Sequence, residues 1–349
     1  MGIIDTNRQR RLGGRGVRPG IVIPAVLALC SSLLAACGSG EADGATKVTV
    51  GVADTIFDAP LRVADAKGYF RAAGLKVEFV DLPSSLDAAA LESNSVQFLN
   101  SSPTTFINAV NRKIPQLAVS MDGAGAPLGL IVSTKFAAAH HLTGSTPPAQ
   151  VAAALRGSTG GASSTTTQGQ AGIFLREYGV SPGTVRYVSL PSPAADKAAL
   201  TRNQIDWFVT SEPTPLAVQD DGDGVVVAGP DTVPAWSVPR TGYGQIVAVR
   251  KDYATENAAL VRRFVRAVQQ GSAYIRGHES DVVGIVKSTF STMADPVLLA
   301  SLRQVDWPET GVMSVDGWNT SMDFIEKTNA VPRGAKLPPT SWTNEYLPS

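Results

Sequence analysis

The sequence predicts an α/β protein of two lobes, built on two doubly wound sheets joined by two crossing strands. Three observations carry this expectation. Short β-type runs alternate with helical segments between Lys47 and Ala228, the rhythm of parallel strands joined by right-handed crossovers. Roughly 300 residues follow the leader-like N-terminus, which is long for a single core. After the strand-like run Tyr243 to Arg250 only helical patterns remain, so the chain is expected to finish in the lobe where it began.

The first segment has its own logic. Arg8, Arg10, Arg11, Arg15 and Arg18 stand against the single acid Asp5, and an apolar run from Ile21 to Leu34 follows. A basic segment before a short apolar core reads as a secretory signal, and the run is shorter than the roughly 20 residues of a spanning helix. It ends in Leu34-Ala35-Ala36-Cys37. Leucine three positions before a cysteine, with two small residues between, resembles the lipobox of bacterial lipoproteins. That resemblance implies cleavage before Cys37, diacylglycerol on its sulfur, and anchorage to the outer face of the cytoplasmic membrane. Cys30 lies in the removed segment, so the mature chain would hold no disulfide and no thiolate cluster. Residues 1–36 are therefore expected as signal peptide and 37–46 as a flexible lipidated tether.

The elements then follow in order. Lys47–Val52 alternates like a strand, and Asp58-Ala59-Pro60 reads as an N-cap with proline in the first turn of a helix. That helix is expected to turn Leu61, Ala64 and Ala66 inward and to stop near Gly68. Strand Leu75–Leu82, helix Leu86–Glu92, strand Val96–Asn100, helix Pro103–Asn111 and strand Gln116–Met121 complete the unit. Leu128–Ser133 is an apolar strand leading away. A second series follows: strand Gly157–Ala162, helix Gln168–Tyr178, strand Val185–Leu190, helix Ala194–Arg202, strand Asp206–Val209, a helix from Pro213, and strand Val225–Ala228. Tyr243–Arg250 leads back to helices Asn257–Arg276, Asp281–Ser288, Pro296–Gln304 and Val315–Asn329, which should pack on the first lobe. Residues 47–132 and 244–349 form the expected first lobe, and 133–243 the second.

Composition excludes some partners. The chain is formally neutral, but the first 36 residues hold five Arg and one Asp, so the remainder carries a net charge of −4. Nucleic acid is disfavoured, because phosphate binding needs a basic stripe. The three histidines are His140, His141 and His278, and adjacent histidines point apart on a helix or a strand, which makes a poor metal pair. Asp220-Asp221-Gly222-Asp223-Gly224 lacks the terminal glutamate of a calcium loop and reads as a solvated turn. Neither a metal nor a cofactor is expected.

Two segments carry a family resemblance. Ala64-Asp65-Ala66-Lys67-Gly68-Tyr69-Phe70 followed by Gly74-Leu75-Lys76-Val77-Glu78 resembles the opening of solute-binding proteins of the taurine, alkanesulfonate, nitrate and thiamine-precursor group. Ala199-Leu200-Thr201-Arg202-Asn203-Gln204-Ile205-Asp206-Trp207 resembles that group's step before the strand ending in Ser211-Glu212-Pro213. The resemblance covers roughly residues 47 to 275. It departs at Glu92-Ser93-Asn94-Ser95 and at Asn203, where glycine is commoner, although both keep turn-compatible residues. It implies a type II periplasmic-binding-protein-like fold and the solute receptor of an ABC importer. The implied partners are a small solute, a permease–ATPase complex and the membrane through the lipid, with the protein itself a monomer. The rival expectation is a secreted enzyme or sensor input on the same fold. No nucleophile–base pair stands out, and the cysteine-rich motif of the group's pyrimidine-building enzyme branch is absent.

Ligands of such sheets sit beyond the carboxyl ends of the strands. Thr55 and Phe57 follow the first strand; Phe57 either stacks on a ligand or fills the core. Ser101 and Ser102 precede a helix start, where they cap the helix or receive an oxygen-rich ligand. Ser163, Ser164, Thr165 and Thr166 open the richest hydroxyl run, a donor set for an anionic group or a plain polar loop. Glu212 could accept from an amine or a hydroxyl, or cap the following helix. Trp236, in a loop before the return strand, is a weaker candidate, as is Asp122.

Overall fold

The computed structural model describes residues 44–348 apart from Ser84. The expected signal segment, Cys37 and most of the expected tether lie outside the described residues. Among the described residues there are ten strands: β1 (Thr46–Val52), β2 (Leu75–Asp81), β3 (Phe98–Ser101), β4 (Gln116–Ala124), β5 (Leu128–Ser133), β6 (Thr159–Ala162), β7 (Arg186–Ser189), β8 (Trp207–Ser211), β9 (Gly224–Ala228) and β10 (Tyr243–Arg250). They form two five-stranded sheets, in the orders β2-β1-β3-β10-β4 and β7-β6-β8-β5-β9. Strands β1, β2 and β3 run parallel and β10 runs antiparallel to β3 and β4. In the second sheet β6 runs parallel to β7 and β8, and β5 runs antiparallel to β8 and β9. The expected two-lobed α/β fold is what forms, with the chain crossing once from β4 to β5 and back from β9 to β10.

Each sheet is anchored by a helix layer. Helix Ala258–Ile275 repeats apolar residues every three or four positions, and Val261, Phe264, Val265 and Val268 are buried. Phe264 stacks on Phe98 of β3 with centroids 3.8 Å apart and on Phe70 at 5.1 Å. Burial of one such ring is worth roughly 1.5–3 kcal/mol. Gly271 lets this helix approach the first one closely, since a Cβ there would stand 2.1 Å from the Pro60 carbonyl oxygen. Tyr274 lies at the edge of this apolar stripe, its hydroxyl donating to Asp281 at 2.7 Å beneath Lys67.

Several elements differ from expectation. The first helix runs Ala59–Ala66 and buries Leu61, Val63 and Ala64, leaving Ala66 exposed; the stripe is rotated toward Val63. Two short helices, Thr134–His140 and Pro148–Ala154, lie between β5 and β6, where no element is expected from the sequence. The helix expected from Gln168 begins at Thr165, so the threonines form its first turn rather than a loop.

The last helix, Val315–Thr328, does not pack on the first lobe alone. Trp318 lies 5.8 Å from Phe106 of the first lobe and meets Tyr243 edge-on at 5.1 Å. Its far end touches the second lobe: the Arg176 guanidinium donates to the Lys327 carbonyl, and a Cβ on Gly169 would stand 2.2 Å from the Thr328 carbonyl oxygen. One hydrophobic cluster accordingly runs from Leu99 and Ile246 through Trp318 and Phe324 to Phe174 and Trp207.

Candidate functional site

The carboxyl edges of the two sheets meet at the crossing segment. Strand β4 ends at Ala124, three residues intervene, and Leu128 of β5 then pairs with Ser211 at the end of β8. The Glu212 backbone N–H donates to the Pro127 carbonyl at 2.8 Å, and the two crossings are tied by Gly125 N–H to the Gly242 carbonyl at 2.9 Å. The strand ends of the two lobes therefore face the same crossing segment.

In the first lobe a buried polar group sits at each strand end. Asp58 is almost fully buried. Expected as a helix cap, it instead turns back, accepting from the Thr55 backbone N–H at 2.9 Å and from the Asn100 amide at 2.7 Å. Burial pushes its pKa up to about 6 against the opposing effect of these donors and of Arg62. Arg62 itself is committed to Asp54 at 2.9 Å. Asp87 opens the helix after β2 and faces the Ser101 hydroxyl at 3.5 Å; burial, aided by the charge of Asp58, raises it to about 7. Asp122, near the end of β4, is fully buried and neither carboxylate oxygen has a hydrogen-bond partner among the described residues. Burial, then the neighbouring Asp58 charge, raises its pKa well above the usual carboxylate value.

The second lobe repeats the pattern. Asp196, in the first turn of helix Pro193–Thr201 after β7, is fully buried. It is raised to about 6 by burial, tempered only by the Ser163 hydroxyl in marginal hydrogen-bond geometry. Glu212, after β8, is 1% exposed. One oxygen accepts from the Leu216 N–H at 3.0 Å, while burial pushes its pKa up to about 8.

The sequence candidates fall into four situations. Thr55, Ser101, Ser163 and Glu212 lie in or beside these acid clusters. Ser102 and Ser164 cap helices, accepting from the N–H groups of Thr105 at 3.2 Å and Thr167 at 3.0 Å. Thr165 and Thr166 stand in the first turn of the Ser164-capped helix, exposed and half-buried respectively. Phe57 and Trp236 are buried: Phe57 meets Trp307 edge-on at 6.5 Å beneath Gly123 and Gly244, and Trp236 packs 5.7 Å from Phe174. Their rings are held by the two cores.

Sequence reasoning passed over Asp87 and Asp196 and ranked Asp122 low. A single acid among small residues looks like a cap or a turn. The signal was positional: acids recur after strands β1, β2, β7 and β8 and near the end of β4.

Residues 58–281, well over half of the chain, match the family described as "NMT1/THI5 like". No curated protein matches by sequence. Among solved structures, a protein from Bordetella bronchiseptica RB50 is 20% identical with a TM-score of 0.69, over 86% of this chain and 95% of that one. The alkanesulfonate-binding protein SsuA from Xanthomonas axonopodis pv. citri, bound to MOPS, is 17% identical with a TM-score of 0.62, over 82% and 94%. The desulfurization enzyme DSZB is 13% identical with a TM-score of 0.60, over 82% and 93%. At these identities the likeness is one of fold, that of two-lobed periplasmic binding proteins.

Proposed function

This chain belongs to the NMT1/THI5-like family, and from that premise we propose that it is the lipid-anchored, extracytoplasmic receptor of an ABC importer, closing two lobes on a small polar organic solute. The supporting observation is the meeting of both carboxyl edges at the crossing, with Glu212 bound to Pro127 at 2.8 Å. A ligand placed there touches groups from both lobes, so its binding energy favours the closed arrangement over the open one. Thr55, Ser101, Ser163 and Glu212 are the proposed contacts, with the caps Ser102 and Ser164 and the first-turn hydroxyls of Thr165 and Thr166 presenting helix starts. The Phe57 and Trp236 rings support the walls from behind.

The Leu34-Ala35-Ala36-Cys37 sequence supports the anchor, which would hold a mobile receptor within reach of its permease. The SsuA relative in fold is named for alkanesulfonate binding, which makes sulfonates one class to try; nitrate and pyrimidines are others. The test is thermal shift and calorimetry of the purified protein against these classes, with deletion of its gene followed by uptake of whatever binds. Binding without loss of uptake on deletion would refute the importer role. The same fold carries the enzyme DSZB, so bound solute should also be followed by mass spectrometry for turnover, which a receptor does not produce.

A further inference from the structure

The receptor reading leaves the charge of the solute open, and the following inference rests on that reading and narrows it. Five strand ends deliver a buried acid: Asp58 after β1, Asp87 after β2, Asp122 in β4, Asp196 after β7 and Glu212 after β8. The strand-end segments 53–58, 82–87, 100–104, 121–127, 162–166, 190–196 and 211–215 contain no Lys or Arg; the second crossing, 229–242, carries one, Arg240, which is exposed and lines a separate cavity with Asp323 and Lys327. An anion lodged there would meet carboxylates without an answering cation, and Arg62 is already held by Asp54. Asp122 is the independent sign that something else completes the site. It is fully buried with both carboxylate oxygens unpartnered among the described residues, and it lies within the field of Asp58. A buried carboxyl group left in that state costs several kcal/mol when charged. On the other lobe one oxygen of Glu212 is bound by Leu216, and the other is held against Gly129, where a Cβ would stand 3.0 Å away.

We infer that the cleft takes a small organic cation, a protonated amine or an amidinium, received by the Asp58–Asp122 pair on one lobe and by Glu212 on the other. Proton bookkeeping makes this testable. In the free protein burial keeps Glu212 protonated up to about 8, whereas Asp58 ionises already around 6. The groups facing them are few. Asp58 sees Arg62 and Asp54, Asp87 and Asp122 see Asp58, Asp196 sees Ser163, and Glu212 sees the Leu216 N–H. A cation favours the ionised acids, so its arrival expels protons, and its affinity rises by up to about tenfold per pH unit for each proton expelled. A neutral or anionic solute needs the acids protonated as donors, and its affinity falls over the same range.

The experiment is titration calorimetry of the full chain at pH 6 and pH 8, in two buffers of different ionisation enthalpy. The probes are putrescine, agmatine, choline, taurine, ethanesulfonate, nitrate and Ca²⁺, alongside native mass spectrometry of the protein as purified from its own cells. The expected result is binding of an organic cation with proton release, tighter at pH 8, and at least a tenfold loss in Asp122→Asn and in Glu212→Gln. Should a variant fail to fold, the wild-type pH profile and proton count decide alone. Binding of ethanesulfonate or nitrate that weakens with pH, or of Ca²⁺ alone, overturns the organic-cation inference and leaves the receptor reading standing. No probe bound and no small molecule co-purifying would overturn both.

Discussion

The Glu212 backbone donates to the Pro127 carbonyl at 2.8 Å, so a buried carboxyl group of the second lobe is tied directly to the segment on which the lobes hinge. Rotation of one lobe against the other must move that carboxyl relative to Asp122, five residues upstream of Pro127 on the other side of the crossing. On the proposed receptor reading, ligand recognition and lobe closure would share a few residues of backbone, which is where a receptor needs them coupled.

The buried acids predict an unusual stability profile for the ligand-free protein. Their folded pKa values, about 6 for Asp58 and Asp196, 7 for Asp87 and 8 for Glu212, lie above the unfolded values near 4. Between those limits the folded state binds more protons than the unfolded one, so stability falls as pH rises. The loss is about 1.4 kcal/mol per pH unit for each group within its own window. Thermal melts of the ligand-free protein should give a Tm several degrees lower at pH 8 than at pH 5.5, and a rise toward pH 8 would refute the assignment.

Substitution of Glu212 separates its charge from its shape. Glu212→Gln keeps an oxygen for the Leu216 N–H and removes the ionisable group. It should be close to wild type in stability at pH 5 and about 4 kcal/mol more stable at pH 8.5, the relief of about 1.4 kcal/mol per pH unit up to the Glu212 pKa of about 8. Glu212→Ala removes the oxygen as well, and the freed N–H and lost packing should cost roughly 1–3 kcal/mol at every pH. Chemical denaturation at the two pH values distinguishes these outcomes.

The fold was legible in the sequence because alternation of short strands and helices leaves few topologies open, and every strand from β1 to β10 overlaps a run expected as a strand. The site was only partly legible. Hydroxyl runs such as Ser163–Thr166 are conspicuous, yet the structure uses Ser164 to cap a helix. Asp87 and Asp196 each look like an ordinary first-turn acid until burial at 8% and 0% exposure makes them costly. Burial depends on which helix covers the strand end, and no local pattern encodes that. The bridging role of Val315–Thr328 was hidden for a similar reason: its single apolar stripe, Trp318, Phe324 and Ile325, reads equally well as a helix on one lobe.

The helix caps give a clean discrimination between scaffold and contact. Ser164 accepts from Thr167 N–H at 3.0 Å while Thr167 returns the bond to Ser164 N–H at 3.1 Å, a reciprocal cap. Ser164→Ala should cost about 1 kcal/mol of stability. If the cap also orients the helix start toward solute, affinity falls as well, by several-fold; unchanged affinity with lowered stability would reduce Ser164 to scaffold. Melting and titration on the same sample read both.

The strongest mechanical prediction concerns Gly169. Its Cα lies so close to the end of the last helix that a Cβ would stand 2.2 Å from the Thr328 carbonyl oxygen and 2.5 Å from the Thr328 Cβ. Those atoms are backbone and a branched side chain, neither of which can swing away cheaply. Gly169→Ala must therefore push helix Thr165–Glu177 of the second lobe away from Val315–Thr328, loosening the Arg176–Lys327 bond beside it. Overpacking of this kind costs about 1–3 kcal/mol. It should fall on the arrangement in which the lobes touch, because an open arrangement separates the two helices. The expected outcome is a larger radius of gyration by small-angle scattering in the ligand-free variant, with weaker solute binding and near-normal secondary structure by circular dichroism. A variant with unchanged radius and affinity but a lower Tm would show that this contact persists in every state, and that the last helix is part of a rigid frame rather than of the closing surface.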